Sequence, residues 1–336
     1  MIKRQTFKII IICISIFIWG CRKDKPISSS ETDLIVLERF DRDLPEFISG
    51  KIKDSTKFIK QYSDFLPIYC YGILNLSLEK NEDSLYNRSG VSEFLSNATI
   101  KKLYNDTEKE FYTDDDIVSE LSDAFSRYHY LFPENAIPRI LTHISGLNQS
   151  IISTDSLISI SLDQYLGASY PYYKNVFYPY QLPMKERNRI ASDVIHVLLY
   201  TQYPPEDDRK TLLDKMVYEG AILYTLQQIF PKKTIGQLLG YQDKEINWSK
   251  KNEPAIWDKI IRQKHLFSTD LLLKSKYTGP APFTSPISPE SPGRIGCWIG
   301  WRIVSEYMKR SDSSLQELLK NSSNGELILK ISKYKG

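Results

Sequence analysis

Apolar side chains run almost without interruption from Ile9 to Trp19, preceded by Lys3, Arg4 and Lys8 and followed by Arg22-Lys23-Asp24-Lys25-Pro26. The run is too short to span a bilayer comfortably, so its flanks predict a secretory signal rather than a transmembrane helix. Beyond it, residues 34–40 read as a short strand and 41–45 as a turn. Helical patterns over 54–74 break at Pro67. Apolar spacing near 3.6 predicts helices over 97–112 and 114–131, the second with Asp114-Asp115-Asp116 at its positive end. That triplet reads as a solvated cap, because a calcium loop would need alternating oxygens and a glycine. The period then changes. Residues 137–143, 149–153 and 157–161 alternate polar and β-branched positions between turn residues, which predicts consecutive antiparallel strands. An aromatic, proline-punctuated loop over 170–180 leads to a long helix over 184–203, ended by Pro204-Pro205. Another helix covers 211–230 and stops at Pro231. Weaker helices over 253–263, an irregular proline-rich stretch over 280–292, a strong helix over 293–310 and two short ones complete the chain. The expected fold class is α+β, mainly helical, with a small, largely antiparallel sheet in one domain over 34–336.

The end of the apolar run refines the address. Ile18-Trp19-Gly20-Cys21 resembles the lipobox of bacterial lipoproteins. That resemblance implies a signal peptide over 1–20, acylation of Cys21 by chains such as palmitate, and a polar lipidated tether over 21–33. An ordinary export signal cut elsewhere is the other reading. Several acyl chains hold a protein to a membrane firmly, since each buried methylene contributes about 0.8 kcal/mol.

Composition changes the picture once the signal is removed. Lys3, Arg4 and Lys8 carry three of the 44 positive charges against 41 negative ones, so the mature chain is formally neutral. It lacks the basic field that nucleic acid would require, and no nucleic-acid partner is expected. Cys13 leaves with the signal and Cys21 takes lipid, which leaves Cys70 and Cys297 either to pair in an oxidising compartment or to stand as separate buried thiols.

The sharpest candidate chemistry spans two central helices. Ser192-Asp193-Val194-Ile195-His196 occupies the frame of a His-Glu-x-x-His zinc helix, and Glu219, in Tyr218-Glu219-Gly220, lies on the next helix where gluzincins carry a third ligand. Ser192 stands where a metal histidine would be, and Asp193 where the general base would be. One histidine and one carboxylate make a poor tetrahedral zinc site. These four residues are therefore candidates for a vestigial site, with no cofactor expected. If a metal is bound, His196 and Glu219 are its ligands, with zinc as the alternative cofactor. His129, His143 and His265 have no sequence relationship to that frame. Gly293, Gly296 and Gly300 recur at a spacing suited to close helix packing and lack the ending of a phosphate loop.

Six segments occur in order along the chain: Arg39-Phe40-Asp41-Arg42-Asp43-Leu44, Ile144-Ser145-Gly146-Leu147-Asn148, Asp163-Gln164-Tyr165-Leu166-Gly167, Thr211-Leu212-Leu213-Asp214-Lys215-Met216, Tyr218-Glu219-Gly220, and Ser291-Pro292-Gly293-Arg294-Ile295-Gly296-Cys297-Trp298-Ile299-Gly300-Trp301-Arg302-Ile303-Val304. With the lipobox, they resemble the gliding motility lipoprotein GldB family of Bacteroidota. That family is itself similar to predicted zinc-dependent peptidases. The resemblance implies a degenerate zincin-like (gluzincin-like) domain in a non-catalytic lipoprotein of the cell envelope. Lipid on Cys21 would hold it to a bacterial membrane, with the mature domain outside the cytoplasm. Its expected partners belong to the gliding or the associated protein-secretion machinery. A membrane-tethered zinc metallopeptidase with a modified ligand set is the alternative. Cys21 alone carries over as a functional residue of the family.

Overall fold

The chain enters its fold through a clamp. In the computed structural model, which describes residues 35–77, 86–206 and 210–336, the backbone N–H of Ile35 donates to Ser122 Oγ at 2.9 Å. Glu38, in the two-residue strand β1 (Leu37–Glu38), pairs with Arg139 at 2.9 Å, and Arg39 pairs with Asp41 at 2.8 Å and Asp114 at 3.0 Å. The export signal, Cys21 and the tether lie outside the described residues.

Helix α1 (Phe40–Ile48) follows directly, in place of the turn expected over 41–45. Phe40, Leu44 and Phe47 share one buried face, and Phe40 sits 5.0 Å from the rings of Tyr62, Phe65 and Tyr69. Burying each such side chain is worth roughly 1.5–3 kcal/mol, enough together to outweigh the roughly 3 kcal/mol cost of Pro45 inside the helix. Helix α2 (Ser55–Gln61) and a π-helical turn (Ile68–Ile73) that begins after Pro67 complete this aromatic layer. Helices α3 (Arg88–Ser96), α4 (Ala98–Glu110) and α5 (Asp115–Leu131) follow. Asn97 caps α4 through its side chain. The acidic triplet does open α5, and two of its members are also ion-paired, Asp114 with Arg39 and the exposed Asp116 with Arg187.

Strands β2 (Arg139–His143), β3 (Ile151–Ser153) and β4 (Leu157–Ser161) complete a four-stranded sheet in the order β1-β2-β4-β3. Only β3 and β4 are antiparallel; β1–β2 and β2–β4 are parallel, so the sheet is mixed rather than largely antiparallel. Burial explains the order. Every residue of β4 is buried, whereas β3 is half-exposed, so β4 takes the interior position and β3 the edge. Leu141 and Leu157 face the aromatic layer, while Ile140, Ile158 and Ile160 face the larger helical core.

The loop between β2 and β3 is pinned from below. The buried Asp163 carboxylate accepts from the backbone N–H groups of Ser145 at 3.1 Å and Leu147 at 2.7 Å, with Gly146 and Leu147 both at positive φ. Two left-handed residues in succession aim both donors at one side chain.

The helical layer begins after 3₁₀ turns at Pro171–Asn175, Pro179–Lys185 and Arg187–Arg189. Helix α6 (Ile190–Gln202) starts later than the pattern predicted, after the proline-containing turn. Then come α7 (Leu212–Ile229), α8 (Ile235–Leu239), α9 (Asp243–Arg262) and α10 (Leu271–Thr278). The chain closes with α11 (Ile295–Met308), α12 (Leu315–Lys320) and α13 (Gly325–Ser332). The capping box of Thr211 and Asp214 starts α7, and Asp214 also accepts from Gly325 N–H at 2.8 Å. Cys70 and Cys297 are free thiols in different cores. Among the described residues, no helix is long and apolar enough to cross a membrane.

Candidate functional site

Helix α6 packs on β3 and β4 and against α7, which brings the sequence candidates to one region. Their side chains divide into two groups. Ser192 is buried and its Oγ donates to the Arg189 carbonyl at 2.9 Å, a bond within its own helix turn. Asp193 accepts from Arg189 at 2.7 Å and from Tyr165 Oη at 3.2 Å. Arg189 also reaches the carbonyls of Gln237 and Leu238. Both residues are therefore committed to holding the start of α6.

His196 and Glu219 face a different setting. The imidazole lies edge-on to Tyr200 with ring centres 5.0 Å apart, and its shielded Nε2 has no hydrogen-bond partner. Burial and the nearby Arg294 push its pKa down to about 4, against the opposing pull of Glu219 and Asp193. Glu219 is buried and pairs with Lys215 at 2.8 Å, one turn earlier on α7; Tyr200 also hydrogen-bonds to it. Although burial favours the protonated acid, Lys215 and Arg294 hold the carboxyl below its ordinary range. Lys215 Nζ also lies 5.2 Å from the Tyr218 ring centre, so aromatic faces and a carboxylate share one ammonium.

The charges around Glu219 are thus cations, where a metal site would present neutral or anionic donors. His143 is fully buried in β2, its Nδ1 2.6 Å from Ser159 Oγ, and His265 Nδ1 lies 3.0 Å from Tyr277 Oη. Among the described residues, no three His, Cys, Asp or Glu side chains converge as a metal-binding group.

Arg294 is the residue that sequence reasoning missed. It precedes α11 in the left-handed conformation, φ 61°, which few residues other than glycine, asparagine and aspartate adopt. Its neighbours are fixed around it. A Cβ on Gly293 would stand 1.9 Å from the Ala281 carbonyl oxygen, so only glycine passes there. Tyr241 Oη donates to the Gly293 carbonyl, and Thr284 Oγ1 joins the Pro292 carbonyl at 2.8 Å to the Ile295 N–H at 3.2 Å. Its signal in the sequence is a lone arginine within a run of small and apolar residues.

Arg294 lines two clefts. The first, about 690 Å³, is walled by Tyr200, Lys215, Tyr218, Glu219 and Thr278. The second, about 200 Å³, is walled by Tyr180, Met184, Tyr241, Ala281 and Pro282. Pro280 borders both. The aromatic loop divides its roles: Tyr173 is buried and donates to the Asp163 carbonyl at 2.6 Å, whereas Tyr178 is exposed and stacks on Tyr180 with ring centres 5.6 Å apart.

Comparison with known families gives a match over residues 20–336 to the family described as gliding motility protein GldB. The chain belongs to that family. No curated protein and no solved structure matches it. Several GldB-like segments meet in space. Ile144-Ser145-Gly146-Leu147-Asn148 closes over Asp163 of Asp163-Gln164-Tyr165-Leu166-Gly167. Gly220 meets Gly300, so Tyr218-Glu219-Gly220 packs on the segment that begins at Ser291. Asp214, Lys215, Glu219 and Arg294 are the charged side chains of the GldB-like segments that border the larger cleft.

Proposed function

We propose that this member of the GldB family is a non-catalytic lipoprotein of the bacterial envelope. In this reading, lipid on Cys21 anchors it, and the cleft between Tyr200 and Arg294 binds a partner of the gliding or associated protein-secretion machinery. The carrying observation is the 2.8 Å pair of Lys215 with Glu219, with Arg294 on the same cleft. Two cations stand beside the carboxylate that a zinc ion would need, while the equivalents of the first metal ligand and the general base, Ser192 and Asp193, are spent on Arg189. The zincin-like scaffold would then be an inherited outline turned to binding. Tyrosines suit such a surface because each offers apolar area with a polar tip.

One observation favours a second reading, a membrane-tethered zinc metallopeptidase with a modified ligand set: His196 Nε2 is shielded and unpartnered. Metal analysis of the purified lipidated protein separates the two. The binding reading expects no stoichiometric zinc, no hydrolysis of casein, and gliding restored by His196→Gln. Zinc at one equivalent that disappears in both His196→Ala and Glu219→Ala variants overturns it. A photo-crosslinking residue at Ser275, on the exposed rim of the cleft, should capture an envelope protein in cells.

A further inference from the structure

The two clefts share Arg294 and Pro280 as lining residues, so the guanidinium stands where they adjoin. The charges along them are unevenly matched. Lys215 is paired with Glu219 at 2.8 Å and Lys210 with Glu206 at 3.0 Å, while Asp214 serves the cap of α7 and the Gly325 N–H. Arg294 has no ion pair among the described residues. Its hydrogen-bonding contacts are the Cys297 thiol and a long 3.5 Å approach to the Leu239 carbonyl, while the nearby Glu219 carboxylate acts on its charge but is already joined to Lys215. A guanidinium offers five donors in a planar fork, and such a fork is matched by the two oxygens of a carboxylate. Its left-handed backbone is held at the junction by Gly293, Tyr241 and Thr284.

The walls specify the rest. Tyr200 and Tyr218 line the cleft on one side of Arg294, Tyr180, Tyr241 and Pro282 the cleft on the other, and Pro280 lines both. Such walls suit a chain that continues in both directions better than a compact solute, because apolar area is available on each side of the charge. From this juxtaposition we infer that Arg294 is the carboxylate receptor for an extended peptide segment, which places one internal Asp or Glu on the guanidinium and aromatic or apolar side chains in the two clefts. This inference rests on the binding role proposed above and names its partner chemistry.

The test uses full-length lipidated protein in detergent on beads. It is offered acetylated and amidated nonapeptide pools whose central residue is Glu, Gln or phosphoserine and whose other positions are drawn from Ala, Leu, Tyr, Pro and Ser. The Glu-centred pool should be retained at least ten-fold over the Gln-centred pool, and Arg294→Gln should bring the two to parity. Ser275→Trp, which fills the rim of the larger cleft and leaves Arg294 in place, should lower retention of the Glu pool at least ten-fold with an unchanged melting temperature. Equal retention of Glu and Gln pools overturns the inference, as does a Glu preference that survives Arg294→Gln. A phosphoserine pool that outcompetes the Glu pool overturns it in favour of a phosphorylated ligand. If Arg294→Gln fails to fold, full binding by Ser275→Trp overturns it. Loss of peptide retention alongside intact crosslinking from Ser275 in cells sinks this inference alone; loss of both also removes the binding role.

Discussion

Gly220 and Gly300 touch backbone to backbone where α7 crosses α11: a Cβ on Gly220 would stand 2.1 Å from the Gly300 carbonyl carbon, and one on Gly300 would stand 1.7 Å from the Met216 carbonyl oxygen. No rotamer change relieves a clash with backbone, so the helices would have to separate. Gly220→Ala and Gly300→Ala should each lower stability by at least about 3 kcal/mol in urea titrations followed by circular dichroism, at the upper end of overpacking costs. Gly72→Ala is the control. Its nearest neighbour would be 4.0 Å away, so that change should be neutral or gain about 0.5 kcal/mol from reduced unfolded-state freedom. Equal losses at the three sites would remove the close-crossing argument.

The Arg189–Asp193 pair is nearly buried, with 8% and 16% of the two side chains exposed. Asp193→Ala leaves the guanidinium without its carboxylate and should cost roughly 3 kcal/mol, as breaking buried pairs does. Asp193→Asn keeps an acceptor for Arg189 and should recover part of that loss. Under the binding reading, any Asp193 variant that reaches normal levels in the cell restores gliding. A folded, abundant and inactive Asp193→Asn protein would give this residue a functional part.

Asp163 joins two distant segments through the N–H groups of Ser145 and Leu147. Asp163→Ala should leave the Leu147 donor unsatisfied, while Ser145 N–H keeps Ser161 Oγ at 3.2 Å, and should cost about 1–3 kcal/mol, the cost of one orphaned buried donor. Hydrogen exchange should then speed up first over residues 144–150. Uniform acceleration across the whole chain would instead assign Asp163 to general packing.

Acid should unfold the protein through its buried imidazoles. Burial lowers the pKa of His143 from 6.5 to about 3; burial, with Arg294, lowers that of His196 to about 4. Between those values and 6.5 the unfolded chain binds protons that the folded chain refuses, so stability falls as pH drops through that window, at up to roughly 1.4 kcal/mol per unit for each group. Glu219 acts in the same direction. Its carboxyl is held below its ordinary 4.5, so the stability it contributes is present above that value and is lost on further acidification. Urea midpoints at pH 7, 5.5 and 4.5 should decline, and His143→Gln should flatten the decline. Parallel curves for the variant and the wild type would exclude His143 as a source.

Placement at the membrane is tested separately. Cys21→Ala behind a conventional export signal should yield folded protein in the soluble envelope fraction and fail to restore gliding. Full restoration by that soluble form would take the anchor out of the mechanism.

Much of the helical frame was legible because its boundaries are written locally: Asn97, Thr211 and Pro231 mark ends that the helices obey. The strands over 139–161 were visible as strands, but their order was not. Placing β4 between β2 and β3 depends on burial of both its faces by layers about a hundred residues apart in the chain, which no local period records. Residues 41–45 read as a turn for a similar reason, since the rings that bury that helix arrive from Phe58 to Tyr69. At the site, His196 and Glu219 were found by their spacing. Arg294 escaped because its meaning lies in the two clefts it borders, and these form only when residues near 180, 200 and 280 come together.

The clamp on the first described residues has a mechanical consequence. Ile35, Glu38 and Arg39 are fastened to Ser122, Arg139 and Asp114, elements far along the chain, so a tug arriving from the N-terminal side is received by α5 and the sheet rather than by a loose end. A lipoprotein attached to a moving envelope machine would meet such pulls repeatedly. With this wiring a load on the first described residues spreads into the interior of the fold, so that under the proposed anchoring the cleft would keep its shape.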